Sequence, residues 1–397
     1  MRIAFHAPLK APIHPAPSGD RRMARQLIAA LQHAEHKVKV ASSLRSFEGD
    51  GLPERQAAIR MSAEIEAKNI IEQIRSSAKT EQPDVWFTYH IYYKAPDWIG
   101  PIVSASLGLA YVVAEASYAP KRANGPWASG HDAVANALRA ADAVLALTRR
   151  DMPCIQPLLS DHAKQFYLPP FLDVASDSAS ESKKGNRDNL RNSFAKCYGL
   201  DIDKHWLLTV AMMRAGDKFN SYRLLARASA MLPGDDWQLV IVGDGEAQAD
   251  VKAAFSSLGI AGDGGRVAWT GELPGSALPD IYEACDVFVW PAINEAYGIA
   301  LLEAQAAGLP LVAGDEGGVR DVVHDGITGL LVDSSKPEIF AATVRRLLDD
   351  ATQRKKFGSR ARNFIRQERA LRQASTIVNE AVMHAYETRP HDASRAT

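Results

Sequence analysis

Cysteine is scarce in this chain: Cys154, Cys197 and Cys285 are the three in 397 residues. They are few and far apart, which excludes a disulfide framework and a zinc-type ligand spacing. No apolar run approaches the ~20 residues that a membrane span needs. An excess of one charge sign is missing too. Lys and Arg number 46 against 47 Asp and Glu, a formal net charge of -1, which argues against a dedicated nucleic-acid binder. Met1-Arg-Ile-Ala-Phe-His6 reads as a strand with no signal peptide before it. The expectation is a cytoplasmic protein whose membrane contact, where there is any, is peripheral.

What is present describes a globular protein of two domains. Apolar residues make up 46% and charged residues 23%, and the length exceeds what one ordinary core organises. Lys and Arg outnumber Asp and Glu by 20 to 16 over residues 1–172 and are outnumbered 31 to 26 in the remainder. A mildly basic first half suits an anionic acceptor or a membrane surface, and compositional scatter explains it equally well.

Apolar β-rich runs fall at Arg2–His6, Val38–Ser42, Val85–His90, Tyr111–Ala114 and Val144–Thr148, with helical stretches such as Arg21–His33 and Glu54–Ser77 between them. Near-continuous apolar strands alternating with amphipathic helices predict a parallel sheet covered on both faces. Pro169-Pro170 closes this half. The Ser-rich, polar residues 174–190 have little to bury and read as a mobile loop. Alternation resumes at Trp206–Ala211, Leu239–Gly243, Val267–Gly271, Val287–Trp290, Leu309–Ala313 and Leu330–Val332. Helices over Glu338–Asp350 and Gln353–Gln367 close it. The last helical stretch, Arg372–Glu387, carries Ile377, Ala381 and Ala385 at four-residue spacing and needs an apolar surface, for which the first domain is a candidate. The expected fold class is therefore α/β, with two Rossmann-like doubly wound domains over residues 1–172 and 205–367. A polar linker covers 173–204, and a C-terminal helix with a frayed tail covers 368–397. Ligands of such sheets bind at the carboxyl ends of the strands, so motifs matter where they follow strands.

One stretch stands out: Pro291…Glu295-Ala-Tyr-Gly298…Glu303-Ala-Gln-Ala-Ala-Gly-Leu-Pro310. It reads strand, loop, helix, strand, with one carboxylate on the loop and one in the helix, beside the positive end of a helix dipole. A phosphate carrying hydroxyl-rich sugars suits that layout. A glycosidase-like acid and base pair is the rival. About eight residues of mostly helical path place the two Cα atoms up to ~12 Å apart. That is far beyond the ~5–5.5 Å between carboxyl groups of a retaining hydrolase, while the inverting range of ~6.5–9.5 Å is less easily set aside.

Together with Gly317-Gly-Val-Arg-Asp-Val-Val323 and Asp325-Gly-Ile-Thr-Gly-Leu-Leu-Val332, this stretch resembles the retaining family 4 (group 1) glycosyltransferases, in detail over roughly residues 205–335. The resemblance implies the GT-B fold, two Rossmann-like domains facing across a cleft, with a nucleotide-sugar donor mainly on the second domain and the acceptor on the first. It implies that Glu303 accepts from the ribose hydroxyls and that Glu295 holds the transferred sugar. The backbone N–H groups of Ala296, Tyr297, Gly298 and Ile299 then meet the diphosphate. Arg214 and Lys218, after the strand at Trp206–Ala211, are the fixed cations that neutralise the leaving diphosphate, so no metal and no cofactor is implied. Gly243 opens Gly243-Asp-Gly-Glu246, a turn lining the nucleotide site rather than a dinucleotide fingerprint, because Gln248 stands where a third glycine is needed. Gly271 and Glu272 face the base.

On the first domain the family carries a glycine-bearing loop after the opening strand, which makes Gly19, Asp20 and Arg21 candidates, with an ordinary helix cap as the alternative. A family His after the fourth run is replaced by Ala116. Glu115 or Ser117 then takes over a substrate contact, or His90 or His131 enters from a neighbouring loop. The implied activity is retaining transfer of a sugar to an acceptor hydroxyl on a glycan, lipid-linked or small molecule, in cell-surface polysaccharide or lipid glycosylation. An epimerase or phosphorylase-like enzyme and a non-catalytic sugar-nucleotide binder are the alternatives.

Overall fold

The computed structural model describes residues 1–15, 18–173, 187–261 and 265–389. The chain divides into two compact units, Met1–Asp173 with Leu371–Thr397, and Val174–Ala370.

The first unit runs β1 (Arg2–His6), α1 (Gly19–His33), β2 (Lys37–Ser42), α2 (Pro53–Ser76), β3 (Val85–Ile91), α3 (Gly100–Leu107), β4 (Ala110–Ala116), α4 (Ala128–Ala140), β5 (Ala143–Ala146), α5 (Met152–Ile155) and β6 (Lys164–Tyr167). Its strands form one parallel sheet in the order β2-β1-β3-β4-β5-β6. β5 is buried along its whole length, as a sheet covered on both faces requires. Met23, Leu27, Ala30 and Leu31 put the apolar stripe of α1 against the sheet, and Ser18 Oγ caps that helix by accepting from Arg21 N at 3.1 Å. On the other face Trp86, Tyr111 and Val113 pack with Ile70, Val103 and Leu138. A buried carboxylate is satisfied inside this core: Asp97 accepts from Thr88 Oγ1 at 2.5 Å, Tyr111 OH at 2.9 Å, and the backbone N–H groups of Ile99 and Gly100.

The second unit runs α6 (Arg187–Tyr198), β7 (His205–Val210), α7 (Asp217–Met231), β8 (Trp237–Val242), α8 (Gln248–Ser256), β9 (Val267–Gly271), α9 (Leu278–Ala284), β10 (Val287–Trp290), α10 (Ile299–Ala306), β11 (Leu311–Gly314), β12 (Gly329–Val332), α11 (Pro337–Asp349) and α12 (Ala351–Glu368). Its parallel sheet has the order β12-β11-β10-β7-β8-β9. The two doubly wound parallel sheets of the GT-B class are thus both present. The last helix, α13 (Leu371–Thr388), returns to the first unit, where it packs on α1 and over β4, β5 and β6. Ala374, Val378, Ala381, Val382 and Ala385 form its buried face, so the apolar stripe runs through Val378 and leaves Ile377 partly exposed.

Two assignments differ from expectation. The first sheet has a sixth strand, β6, whose Lys164-Gln-Phe-Tyr167 carries too little apolar character to be read as one. The polar stretch assigned to a linker over 173–204 contains a helix, α6; the loop expected over 174–190 lies outside the described residues as far as 186. Helix α6 has no buried residue and is held by charge instead. Arg187 and Arg191 both reach Asp286, at 2.6 and 3.1 Å, and donate to the carbonyls of Glu283, Ala284 and Cys285. Asp286 also accepts from Trp206 N at 2.8 Å, and the Arg191 guanidinium lies 4.0 Å from the Trp206 ring centroid. Burial pushes the Asp286 carboxyl up, but the Trp206 N–H and the two guanidiniums outweigh it and hold it below the usual carboxylate range.

Replacing Asp286 with Ala strands Arg191, which is only 12% exposed, and should cost the second unit about 3 kcal/mol in urea unfolding. Because the native carboxyl is depressed, its contribution is present above pH ~4 and is lost as pH falls further. An unchanged unfolding midpoint for Asp286→Ala contradicts the clamp.

Candidate active site

In an open parallel sheet the ligand crevice lies where the strand order reverses. In the second unit the order runs outward through β7, β8 and β9 on one side and through β10, β11 and β12 on the other. The reversal falls between β7 and β10, which are tied by Thr209 Oγ1 donating to Val289 O at 2.6 Å. Arg214 lies on the loop after β7, Lys218 in the first turn of the helix that follows it, and Glu295 on the loop after β10.

Lys218, in the first turn of α7, pairs with Glu295 Oε2, and both are partly buried. Trp290 Nε1 donates to the same oxygen at 3.3 Å. The Glu295 loop is pinned along its length. Ile293 N donates to Ser221 Oγ at 3.0 Å, Asn294 Nδ2 to Asp217 Oδ1 at 3.1 Å, and Gly318 N to Glu295 O at 3.3 Å. Ala292 and Asn294 take positive φ, 57° and 50°, a strain that persists only where neighbours over-determine it. Gly317 has φ 47°, and a Cβ there would sit 2.1 Å from Glu295 O. Glycine is required for that close approach.

Gly243 plays a similar part behind the loop after β7. A Cβ on it would meet Ala211 O at 1.9 Å, and Tyr222 OH donates to that same carbonyl at 2.7 Å. Its N–H donates to Gly271 O at 2.9 Å, so Gly243 and Gly271 close adjacent strand ends. Glu272 follows them, exposed. Gly298, at φ 73°, precedes the first residue of α10, and Ala296, Tyr297 and Ile299 flank it; Ala296 is exposed and the Tyr297 side chain is buried. Glu303 sits in α10 and accepts from Tyr282 OH at 2.8 Å, so it is not simply a solvated helix carboxylate. Arg214 is exposed and takes part in none of the described ion pairs, so the structure joins Lys218, and not Arg214, to Glu295.

The first unit's order reverses between β1 and β3. Asp20 follows β1 and His90 ends β3, and they meet: His90 Nδ1 lies 3.0 Å from Asp20 Oδ1 and 3.9 Å from Glu115 Oε1 at the end of β4. His90 and Glu115 both have left-handed backbones, φ 60° and 59°, inside their strands. Burial weighs against charge on His90, but Glu115 and Asp20 outweigh it and raise the imidazolium to about 9. Burial pushes Glu115 up, with His90 opposing; Asp20 is held below its usual range by His90 despite burial. Arg21 supports the preceding loop by donating to His14 O and Pro15 O, and Gly19 is exposed at the helix start. His131 is not part of this group. It is buried on α4, stacked on Tyr118 at 4.4 Å, with Nε2 3.1 Å from Ala119 O. Ser117 Oγ lies 3.4 Å from Asp151 Oδ1, and Ala116 is buried.

Trp290, Asp217, Ser221 and Asn294 were missed in the sequence. The one visible signal was Trp290 ending an apolar strand directly before Pro291. The chain does contain an Asp-x-Asp triplet, Asp201-Ile-Asp203, but it lies in the turn before β7, at the opposite end of the strand from Lys218. Among the described residues no helix is long and apolar enough to cross a membrane.

The sequence pattern of the family described as "Glycosyl transferases group 1" matches residues 209–364. The match covers well under half of the chain and lies wholly within the second unit. The match takes in β10, α10 and the whole Glu295 loop. An alpha-D-kanosaminyltransferase of Streptomyces kanamyceticus is 32% identical over 235 residues, 59% of this chain and 57% of that protein. A D-inositol 3-phosphate glycosyltransferase of Corynebacterium diphtheriae is 32% identical over 182 residues, 44% and 41% of the two chains. The chain thus spans about half the length of the curated relatives it matches. Among solved structures, Anabaena Alr3699/HepE in complex with UDP has a TM-score of 0.70 at 14% identity, covering 96% of this chain and all of that one. Sucrose-phosphate synthase of Thermosynechococcus elongatus has 0.70 at 18%, covering 97% and 99%. At these identities the likeness is one of fold, and it covers both units.

The charge on His90 can be checked directly. Its imidazole resonance should titrate at about 9 in the folded protein; a midpoint near the ordinary 6.5 contradicts the pairing. Since the native pKa is raised, the stabilisation is complete below pH ~6.5 and fades as pH climbs through about 9. His90→Gln should abolish that part of the pH dependence.

Proposed function

We propose that this protein is a retaining glycosyltransferase that moves a sugar from a nucleoside diphosphate to an acceptor hydroxyl. The observation that carries the proposal is the meeting of Lys218 and Glu295 at the strand-order reversal, inside the segment that matches the group 1 transferases. Lys218 offers a cation to the leaving diphosphate, joined by the nearby Arg214 and the N–H groups at the start of α10. Glu295 accepts hydroxyls of the transferred sugar, and Glu303 accepts those of the ribose. Sugar transfer is also what the similar proteins carry out, and one of them, a GDP-mannose-dependent alpha-mannosyltransferase of Mycolicibacterium smegmatis, draws on a nucleotide sugar.

Charge develops on the diphosphate as the glycosidic bond breaks, and fixed cations stabilise it there without reorganisation. The acceptor hydroxyl attacks from the face the diphosphate leaves, and its proton passes to the departing phosphate, so the anomeric configuration is kept. No protein nucleophile and no metal is assigned; catalysis rests on position and charge. On the first unit Gly19, Asp20, Arg21, His90 and Glu115 are proposed to meet the acceptor. The acceptor is a hydroxyl-bearing glycan, lipid-linked or small molecule, with cell-surface polysaccharide or lipid glycosylation as the setting the resemblance implies.

A thermal-shift screen against UDP, GDP, ADP and their sugars should show a higher midpoint with one nucleotide family. Glu295→Ala should cut turnover at least ~100-fold, about 3 kcal/mol of transition-state stabilisation, while the fold and nucleotide affinity persist. Product NMR should show the donor's anomeric configuration retained, and chelators should leave the rate unchanged. Undiminished turnover in Glu295→Ala overturns the assignment.

A further inference from the structure

Glu295 receives two donors on one oxygen. Lys218 Nζ and Trp290 Nε1 both meet Oε2, and Oε1 has no hydrogen-bond partner among the described residues. Lys218 lies on the first turn of a helix and is 34% exposed, whereas Trp290 is 3% exposed and fixed by its surroundings. Its ring meets Tyr222 edge to face at 5.1 Å, and Lys218 Nζ lies 5.4 Å from its centroid. Tyr222 in turn holds Ala211 O, the carbonyl at the start of the loop that carries Arg214. The indole therefore links the loops after β7 and β10 and presents one rigid N–H to the carboxylate.

Resting on the donor-site reading above, we propose that Trp290 is a positioning residue for sugar recognition, its N–H fixing the rotamer of Glu295 when Lys218 is drawn away. Lys218 cannot serve the diphosphate and hold Glu295 at full strength at once. When a donor enters, the ammonium turns towards phosphate and one of the two restraints on Oε2 weakens. The indole N–H remains, because the ring cannot move without disturbing Tyr222. It keeps Oε2 occupied and leaves Oε1 to accept from the sugar hydroxyls. A carboxylate held by a single neutral donor is also a better acceptor for hydroxyls than one fully neutralised by an ammonium.

The role separates sugar binding from nucleotide binding, and Trp290→Phe isolates it. Phe keeps a ring against Tyr222 and removes the donor. The readout is the affinity gained by adding the sugar, measured by calorimetry as UDP against UDP-glucose and GDP against GDP-mannose. Trp290→Phe should leave the nucleoside diphosphate affinity unchanged and reduce the sugar's increment about tenfold, the loss expected for one hydrogen bond to a charged group. Turnover should fall with it. In a Glu295→Ala background the Trp290→Phe substitution should have no further effect on the increment. Equal losses for the diphosphate and its sugar ester, a wild-type increment in Trp290→Phe, or an undiminished effect without Glu295 each overturns the proposal while leaving the transferase reading in place. Failure of the wild-type chain to bind any of UDP, GDP, ADP and their sugars overturns the donor-site reading, and this proposal with it.

Discussion

The second unit's site is organised around one atom, Glu295 Oε2. It is the point at which a lysine from α7, an indole from β10 and a loop braced by Gly317 converge. A carboxylate mostly removed from water, as Glu295 is, needs such partners, because a buried charge left unpaired is costly. The constraint propagates outward. Gly317 must lack a side chain because Glu295 O passes within van der Waals contact of its backbone. Ala292 and Asn294 must accept left-handed conformations so that the loop turns back towards α7, and Ser221 and Asp217 hold it there.

The first unit repeats the logic with other chemistry. Its reversal point joins a carboxylate after β1 to a histidine at the end of β3, and again the residues that meet are backbone-strained: His90 and Glu115 both sit at positive φ within otherwise extended strands. Four of the five non-glycine residues with positive φ among those described, all except Glu35, lie at the ends of β3, β4 and β10. Strain concentrates where the sheets end and the candidate residues begin, which is the distribution expected of ligand-facing positions rather than of random irregularity.

Much of this was legible in the sequence, for definable reasons. Strands buried on both faces write themselves as apolar runs, so Arg2–His6 and Val287–Trp290 were placed to the residue. Helix α6 was not, because it buries no side chain; Arg187 and Arg191 bind it to Asp286 nearly a hundred residues away, and such a pairing leaves no periodic trace. The same holds at the site. Glu295 and Glu303 stood out through local pattern, but the pairing of Glu295 with Lys218 across 77 residues, and of His90 with Asp20 across 70, follows from strand order. Trp290 was hidden for a different reason: an aromatic residue at the end of an apolar strand looks like core, and its N–H partner becomes visible only when the following loop turns back.

On the proposed function, Lys218 and Glu295 hold each other in place of a donor's diphosphate and sugar. A crystal structure of the chain with an intact nucleoside diphosphate sugar tests it most directly. Lys218 Nζ should then lie within hydrogen-bond distance of a phosphate oxygen, and Glu295 Oε1 within hydrogen-bond distance of a sugar hydroxyl. A bound donor whose sugar lies away from Glu295, with Lys218 still paired to Oε2, would contradict it.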